Sequence, residues 1–478
     1  MNEIEFYLNS HIKTNTAAYV IDSSDRFNAD SFKEMLSHSF INAVTFVVDP
    51  QELNAEHGIH DLKIERISTE IVSYDDIDSL PAGLTLLFEN IKDTNVLLKF
   101  ASVKPIAVVG SVYETSPSAF KLWETFRNCS EDIVIKTLRN GPEPQVLNWH
   151  KKRENQIELS VVFPVYNVGK YLTQCLESVT AWKADYVEYL FVDDGSPDNS
   201  KDIIAEWQKK DARIKLLRKE NGGCASARQY GLDHAEGEYV GFIDPDDFIE
   251  PYMFCELLKA ALTGSYEISY CGYKEYYDNN GECKIVEDNL GWPYNNGSYN
   301  PREIKELIYS CKVAIWRGIY KKEMLDRAGI HFYTDLRRFD DLPFKVETFA
   351  VAKSVVSIPK HMYYYRLARP GQDVSADDER LYVHFDIFRY LNESVASSRD
   401  QHVIDYLQLC KVDTHVYALD KIKPEFFNEY VKQARADFKT TGSTLRTYRM
   451  CKQLRGKKKA AKYMAIMLKS RMLYNMVK

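Results

Sequence analysis

Between residues 159 and 243 four short apolar runs recur, each followed at once by a polar cluster. The runs are Leu159–Phe163, Val187–Val192, Ile214–Leu217 and Tyr239–Ile243, with helix-length segments between them. Near-continuous apolar runs of this length suit strands covered on both faces. In the first spacer Val168, Leu172, Cys175 and Val179 fall at helical spacing. Alternating strand and helix in this way predicts a parallel sheet with right-handed crossovers. Such sheets bind ligands beyond the C-terminal ends of their strands. Chemistry is therefore expected just after each run.

The clusters fit that rule. They read Pro164-Val165-Tyr166-Asn167, then Asp193-Asp194-Gly195-Ser196-Pro197-Asp198, then Asn221 to Arg228, then Asp244-Pro245-Asp246-Asp247. Helix capping accounts equally well for one acidic strand end. It does not account for four clusters converging on one sheet edge. Tyr166 offers a flat face to a base, and Asn167 can donate and accept hydrogen bonds. Asp193 or Asp194 suits a base N–H or a ribose hydroxyl. Gly222 and Gly223 allow close backbone approach, although such a pair is also an ordinary turn. Arg228, one helical turn on, suits a diphosphate. The three carboxylates of Asp244, Asp246 and Asp247 repel one another. Mg²⁺ or Mn²⁺ relieves that repulsion and commonly combines one or two carboxylates with phosphate oxygens. A solvated acidic turn is the structural alternative.

Taken in order, these residues resemble family 2 of the inverting glycosyltransferases, which have the GT-A fold. The family's P-x-Y-N, V-D-D-G-S-x-D, G-G-x-x-x-A-R and D-x-D elements correspond to Pro164/Tyr166/Asn167, Val192–Asp198, Gly222–Arg228 and Asp244–Asp247. Ala314-Ile315-Trp316 through Tyr320 is similar to its W-x-x-x-Y segment. Arg338-Phe339-Asp340-Asp341 stands where it usually carries Glu-Asp, and Tyr363–Arg366 matches its Y-x-Y-R strand. Two positions depart from the pattern: Gln229 replaces the Asn common after the A-R pair, and Asp340 replaces the Glu.

The resemblance implies a metal-dependent transfer, with inversion, of a hexosyl or N-acetylhexosaminyl group. The donor is a nucleotide diphosphate sugar, UDP foremost. The acceptor is a hydroxyl of a glycan or lipid-linked saccharide in surface polysaccharide biosynthesis. On this reading Asp246 and Asp244 hold Mn²⁺ or Mg²⁺, and Asp341, with Asp340 beside it, acts as general base. Pro164, Tyr166, Asn167, Asp193, Asp194, Gly223, Arg228 and Asp244 bind the donor. Arg369 and Ser375 close over the diphosphate from the loop after the Y-x-Y-R strand. Plainer roles compete. Acids at a helix start complement its dipole, Arg366 suits a strand cation, and Trp316 is as fit for a core as for an acceptor platform. His331 and His361 read as packing residues and are left out of the metal set.

A chain of 478 residues exceeds one ordinary core. The expected class is α/β: a GT-A nucleotide-diphospho-sugar transferase fold with an additional N-terminal α/β domain and a C-terminal helical extension. Residues 1–137 form the small first domain, with strands at Ala43–Val48, Leu84–Phe88 and Ile106–Val109 and helices at Ser31–Phe40 and Ser118–Phe126. It carries no chemical motif and its role is open, with another protein as its candidate partner. Residues 138–156, with Pro142 and Pro144, read as a linker, 157–375 as the transferase domain, and 376–478 as helical, including Val383–Ser394 and Val403–Leu419.

Composition narrows the class further. With 45% hydrophobic and 27% charged residues the chain is a folding one. No run reaches the ~18 apolar residues of a spanning helix, and Met1–Asn15 lacks a basic-then-apolar leader. Nine cysteines without a C-x-x-C pair disfavour a zinc ribbon or disulfide scaffold and point to the cytoplasm. The net charge of −7 hides an asymmetry: residues 438–478 hold twelve Lys and Arg and no Asp or Glu, leaving −19 on the rest. That tail is expected to attach the chain peripherally to the anionic inner face of the cell membrane. Packing on the acidic body is the alternative. Nucleic acid is not an expected partner, since aromatic interleaving and a recognised module are both missing. A nucleotidyltransferase would place a Gly-rich, Arg-containing loop where Val165–Gly169 stands, and a glycosidase would not need nucleotide clusters. The remaining rival is a catalytically silent nucleotide-sugar-binding scaffold of a glycan-assembly complex.

Overall fold

The computed structural model describes residues 16–20, 32, 43–48, 68–82, 84–91, 95–105, 107–112, 116–126, 130, 132–137, 145–150, 157–263, 266–287, 299, 301–367, 376–395 and 399–477. The chain divides into two compact units, Met1–Gln156 with Lys259–Tyr266, and Ile157–Leu258 with Glu267–Lys478.

The first unit is built on a sheet of seven strands: β1 (Thr16–Val20), β2 (Ala43–Val48), β3 (Ser68–Ser73), β4 (Thr85–Ile91), β5 (Ala107–Val112), β6 (Asp132–Thr137) and β7 (Gln145–His150). Their order is β3-β2-β1-β4-β5-β6-β7, parallel throughout except for β7, which runs antiparallel to β6. Helix α1 (Ser116–Phe126) buries Leu122, Trp123 and Phe126. The expected strands at 43–48, 84–88 and 106–109 and the helix at 118–126 correspond to β2, β4, β5 and α1. The expected helix Ser31–Phe40 lies, apart from Phe32, outside the described residues. The linker expectation needs correcting, because Gln145–His150 pairs with β6 along six residues. Its alternation of Val146 and Leu147 with Asn148 and His150 lacked the apolar run that marked other strands.

The second unit begins with strand–helix alternation: β8 (Leu159–Val165), α2 (Gly169–Thr180), β9 (Val187–Asp193), α3 (Ser200–Gln208), β10 (Ile214–Arg218), α4 (Cys224–Asp233) and β11 (Tyr239–Phe242). Every residue of β8 and β9 is buried. Helix α2 covers them with Leu172, Cys175, Leu176 and Val179, the expected spacing. Strand β10 is an edge, and only Ile214 of it is fully buried, so the expectation of two covered faces fails there.

After β11 come β12 (Phe248–Ile249), β13 (Ile268–Tyr277), β14 (Glu282–Val286), β15 (Gly318–Lys321), helix α5 (Asp341–Val351) and β16 (Val355–Leu367). The sheet runs β10-β9-β8-β11-β15-β13-β16-β12, with β14 paired to β13. Strands β8 to β11 are parallel, whereas β15 is antiparallel to β11 and β12 to β16. Helix α4 seats closely on β8 through Gly231, where a Cβ would come within 2.3 Å of Val162. That approach fixes the helix carrying Arg228.

The helical extension comprises α6 (Val383–Ser394), α7 (Gln401–Lys421), α8 (Phe427–Phe438), α9 (Thr444–Leu454), α10 (Gly456–Met467) and α11 (Arg471–Met476). The 21-residue α7 is its spine and presents Asp405, Asp413 and Asp420 at seven- and eight-residue spacing, along one face. The basic tail packs on that face. Arg446 binds Asp405 at 2.5 Å, Arg455 and Lys459 bind Asp413 at 2.8 and 2.5 Å, and Lys462 binds Asp420 at 2.7 Å. For these four cations, packing on an acidic helix describes the tail better than a wholly solvent-facing basic segment. A second network is deeper: the fully buried Lys411 donates to Asp437 at 2.7 Å and to Asn392 at 2.9 Å, and His415 Nε2 donates to Asp437 at 3.0 Å. Burial opposes the charge of Asp437, but the His415 hydrogen bond and Lys411 together hold its carboxyl below the usual carboxylate range. Among the described residues no helix is long and apolar enough to cross a membrane.

Candidate active site

The parallel strands end on one edge, where β8, β9 and β11 deliver the residues expected there. Tyr166 is 50% exposed just beyond β8, and Pro164 is buried within the strand opposite Val192. Asn167 takes a left-handed backbone (φ 56°), and its amide donates to the Ser196 hydroxyl at 3.4 Å. The two aspartates after β9 serve different ends. Asp193 accepts the Ser196 amide at 3.0 Å, tightening the turn. Asp194 accepts the amides of Gly222 at 3.0 Å and Gly223 at 2.8 Å, and Lys219 at 2.7 Å. Neither caps a helix. Asp194 shapes the glycine loop from beneath. At Gly223 the backbone is left-handed (φ 91°), and a Cβ would meet nothing within 4 Å, so the position opens onto space. Lys219 was not singled out from sequence, although a cation immediately before Glu220-Asn221-Gly222-Gly223 is a readable signal.

The three acids after β11 are equally unlike one another. Asp247 is buried, accepting the Tyr363 hydroxyl at 2.7 Å and the Arg366 amide at 2.7 Å. Burial, then the charges of Asp246 and Asp244, push its carboxyl well above the usual range. Arg366 is 3% exposed. Its Nε donates to the Asp246 carbonyl at 2.7 Å and its Nη2 to Gln174 at 2.6 Å, its Nη1 pairs with Asp278, and Tyr171, Phe248 and Tyr276 surround it. It is a strand cation that buttresses the acidic turn. Asp246 is buried, whereas the Asp244 side chain keeps a quarter of its surface.

Arg228 joins this turn to a second acidic pair. Its Nη2 donates to Asp244 at 2.5 Å and its Nη1 to Asp340 at 2.7 Å, while its Nε has no hydrogen-bond partner. Arg228, expected at a diphosphate, here bridges two carboxylates. Phe339, left-handed at φ 54°, turns the chain into α5. Asp340 occupies the N-cap position, but its side chain makes no cap hydrogen bond and pairs with Arg228 instead. Asp341 opens the helix and is partly buried. Burial, then the Asp340 charge, raise its carboxyl to about 7 against the opposing pull of Arg228. A carboxylate poised near neutrality suits proton acceptance.

Residues 160–350 match the family model for glycosyl transferase family 2. This segment is a family 2 glycosyltransferase domain. Over 212 residues the chain is 31% identical to EpsJ of Bacillus subtilis, an uncharacterized glycosyltransferase, covering 44% of this chain and 60% of EpsJ. It is 41% identical over 105 residues to the minor teichoic acid biosynthesis protein GgaB of the same organism, covering 21% of this chain and 12% of GgaB. The chain therefore spans less than two thirds of either relative. Among solved structures it is similar to S. aureus TarS 1–349 in complex with UDP-GlcNAc, with TM-score 0.53 and 21% identity over 67% of this chain and 90% of that one. That likeness establishes the GT-A fold of the glycosyltransferase domain.

Other residues expected at the site fall out differently. Trp316, 5% exposed, stacks on Tyr363 with centroids 3.9 Å apart and on Tyr365 at 5.5 Å, so it is core. His331 is exposed and hydrogen-bonded to the Gly329 carbonyl at 2.9 Å, and His361 packs against Gly272. Arg369 and Ser375 lie outside the described residues. Among the described residues no three His, Cys, Asp or Glu side chains are grouped to hold an ion by themselves. The donor set of Asp244 and Asp246 suits a cation that takes its other ligands from phosphate and water.

Proposed function

We propose that the protein is a metal-dependent inverting glycosyltransferase. It moves a hexosyl or N-acetylhexosaminyl group from a nucleotide diphosphate donor, UDP foremost, to a hydroxyl of a glycan or lipid-linked saccharide in surface polysaccharide biosynthesis. The observation that carries this reading is the Asp244–Arg228–Asp340 bridge with Asp341 beside it. It sets a partly open acidic turn at one end of a single guanidinium and a carboxyl poised near neutrality at the other. Tyr166, Asn167 and Asp193 line the base and ribose end, and Gly223 lets the backbone approach the donor. Asp246 and Asp244 would hold Mn²⁺ or Mg²⁺, which supplies charge neutralisation to the departing diphosphate. Arg228, set between Asp244 and Asp340, would meet the donor's phosphate oxygens. Asp341 accepts the proton of the acceptor hydroxyl as that group becomes acidic in the transition state. Arg369 and Ser375 close the donor site, and the first unit binds another protein. A lipid-linked acceptor puts the enzyme at work on the cytoplasmic face of the membrane.

The test is nucleotide release from UDP-, GDP- and dTDP-sugars with Mn²⁺ or Mg²⁺, with and without saccharide and lipid-linked acceptors. Release dependent on one donor and one acceptor class is the expected result. Binding of a donor with no transfer to any acceptor would instead favour the scaffold reading.

A further inference from the structure

Four of the tail's cations face the α7 aspartates, which leaves the character of its outer surface to the remaining side chains. Of the large apolar residues exposed in the described chain, five lie between 445 and 476: Leu445 at 57%, Leu468 at 62%, Met472 at 74%, Leu473 at 42% and Met476 at 72%. Their placement is ordered. Thr444, Leu445, Tyr448 and Met464 line a groove of about 480 Å³ between α9 and α10. Leu468 stands one turn beyond Met464, and its amide donates to the Met464 carbonyl at 2.9 Å. On α11, Met472, Leu473 and Met476 occupy one side while Tyr474 is buried and bonded to Val416 and Asp420. Around them Lys452, Lys457, Lys458, Lys469 and Arg471 are exposed, and residues 438–478 contain no carboxylate side chain, although Glu429 of α8 lies near Lys469.

Exposed methionine and leucine are costly in water, and beside exposed lysine they suit an interface that is apolar within and anionic at its rim. We infer that the outer surface of α9–α11 docks on a membrane of anionic lipid, with Leu468, Met472 and Met476 entering the acyl boundary and the lysines meeting phosphate headgroups. The surface differs from the one that sequence alone suggests, because Arg446, Arg455, Lys459 and Lys462 are paired with the α7 aspartates. It rests on the reading of a lipid-linked acceptor only for its purpose. Vesicle binding is measured without donor or acceptor, so it fails or holds independently of the transfer chemistry.

The experiment is co-sedimentation of the full chain with vesicles of phosphatidylcholine alone or with phosphatidylglycerol at about one third. Binding at least about tenfold tighter to the anionic vesicles, weakened as salt rises, is expected. Met472→Ser with Met476→Ser should weaken it about tenfold with an unchanged melting temperature, since both side chains are already exposed. Lys457→Gln with Lys458→Gln should weaken it independently and flatten the salt dependence. Equal partition into both vesicles, or binding to neither, would overturn the proposal. So would light scattering that finds a dimer abolished by the methionine pair, because the surface would then be occupied by a second copy.

Discussion

Two clusters in the second unit both set aspartate against cation and reach opposite balances. In the helical extension the buried Lys411 meets the carboxylate of Asp437, His415 holds its other oxygen, and Asn392 takes a remaining ammonium donor. At the sheet edge Asp244 and Asp340 share one guanidinium, Asp341 stands next to them, and Asp246 and Asp247 follow two and three residues after Asp244. One cluster is matched inside the chain, whereas the other holds more carboxylate than cation. A matched buried network fixes packing. A surplus at open strand ends costs stability and persists where a ligand of opposite charge completes it. The divalent cation proposed to accompany the donor is such a ligand.

The largest stability effect should come from the matched cluster. Lys411→Met strands Asp437 as a buried, less compensated charge and should cost about 3–5 kcal/mol in urea unfolding. Turnover per folded molecule should stay near wild type. A loss below 1 kcal/mol would mean that the network is not the matched core described above.

The surplus cluster should declare itself through pH. With the Asp341 carboxyl raised to about 7, it must lose its proton to act as a base. The rate kcat/KM should therefore rise about tenfold per unit up to near pH 7 and level off above it. The stability sign is the reverse. Between its unfolded value and about 7 the unfolded state releases this proton first, so Asp341 costs more stability as pH rises. Asp341→Asn should consequently melt no lower than wild type at pH 8. A flat rate profile from pH 5 to 8 would break the contrast.

Smaller effects sharpen its geometry. Gly223→Ala should cost about 1 kcal/mol from its left-handed backbone alone, because the added methyl meets no atom. It should also raise the donor KM. Gln229→Asn restores the residue more common in the resembling family but shortens the reach to the Phe332 amide, now 2.7 Å away. A loss of about 1 kcal/mol or less in thermal unfolding is expected, with little change in donor turnover.

Much of the transferase sheet was legible because β8, β9 and β11 are continuous apolar runs with chemistry at their C-terminal ends. The strands β1, β3, β6 and β7 were missed because Ala17-Ala18, Glu70, Lys136 and Asn148 interrupt the apolar pattern. At the site, residue types were readable but their partners were not. Nothing local to Arg228 announces Asp340, 112 residues away, and nothing in Asp244–Asp247 says that Asp247 is tied to Tyr363 and Arg366. Such pairings are made by helix seating and strand order, which sequence patterns specify only as a class. The tail gives the same lesson with reversed sign: twelve cations were countable, but which of them face α7 was not.

The central claim is that Asp341 is the base of a transfer reaction and not another structural acid. It is tested most directly by comparing Asp341→Asn with the unmodified chain, measuring donor binding by calorimetry and sugar transfer in the same buffer. Transfer reduced about 10²–10⁴-fold, with donor affinity within threefold of wild type, is the predicted result. Transfer within tenfold of wild type, or binding and transfer lost together, would contradict it.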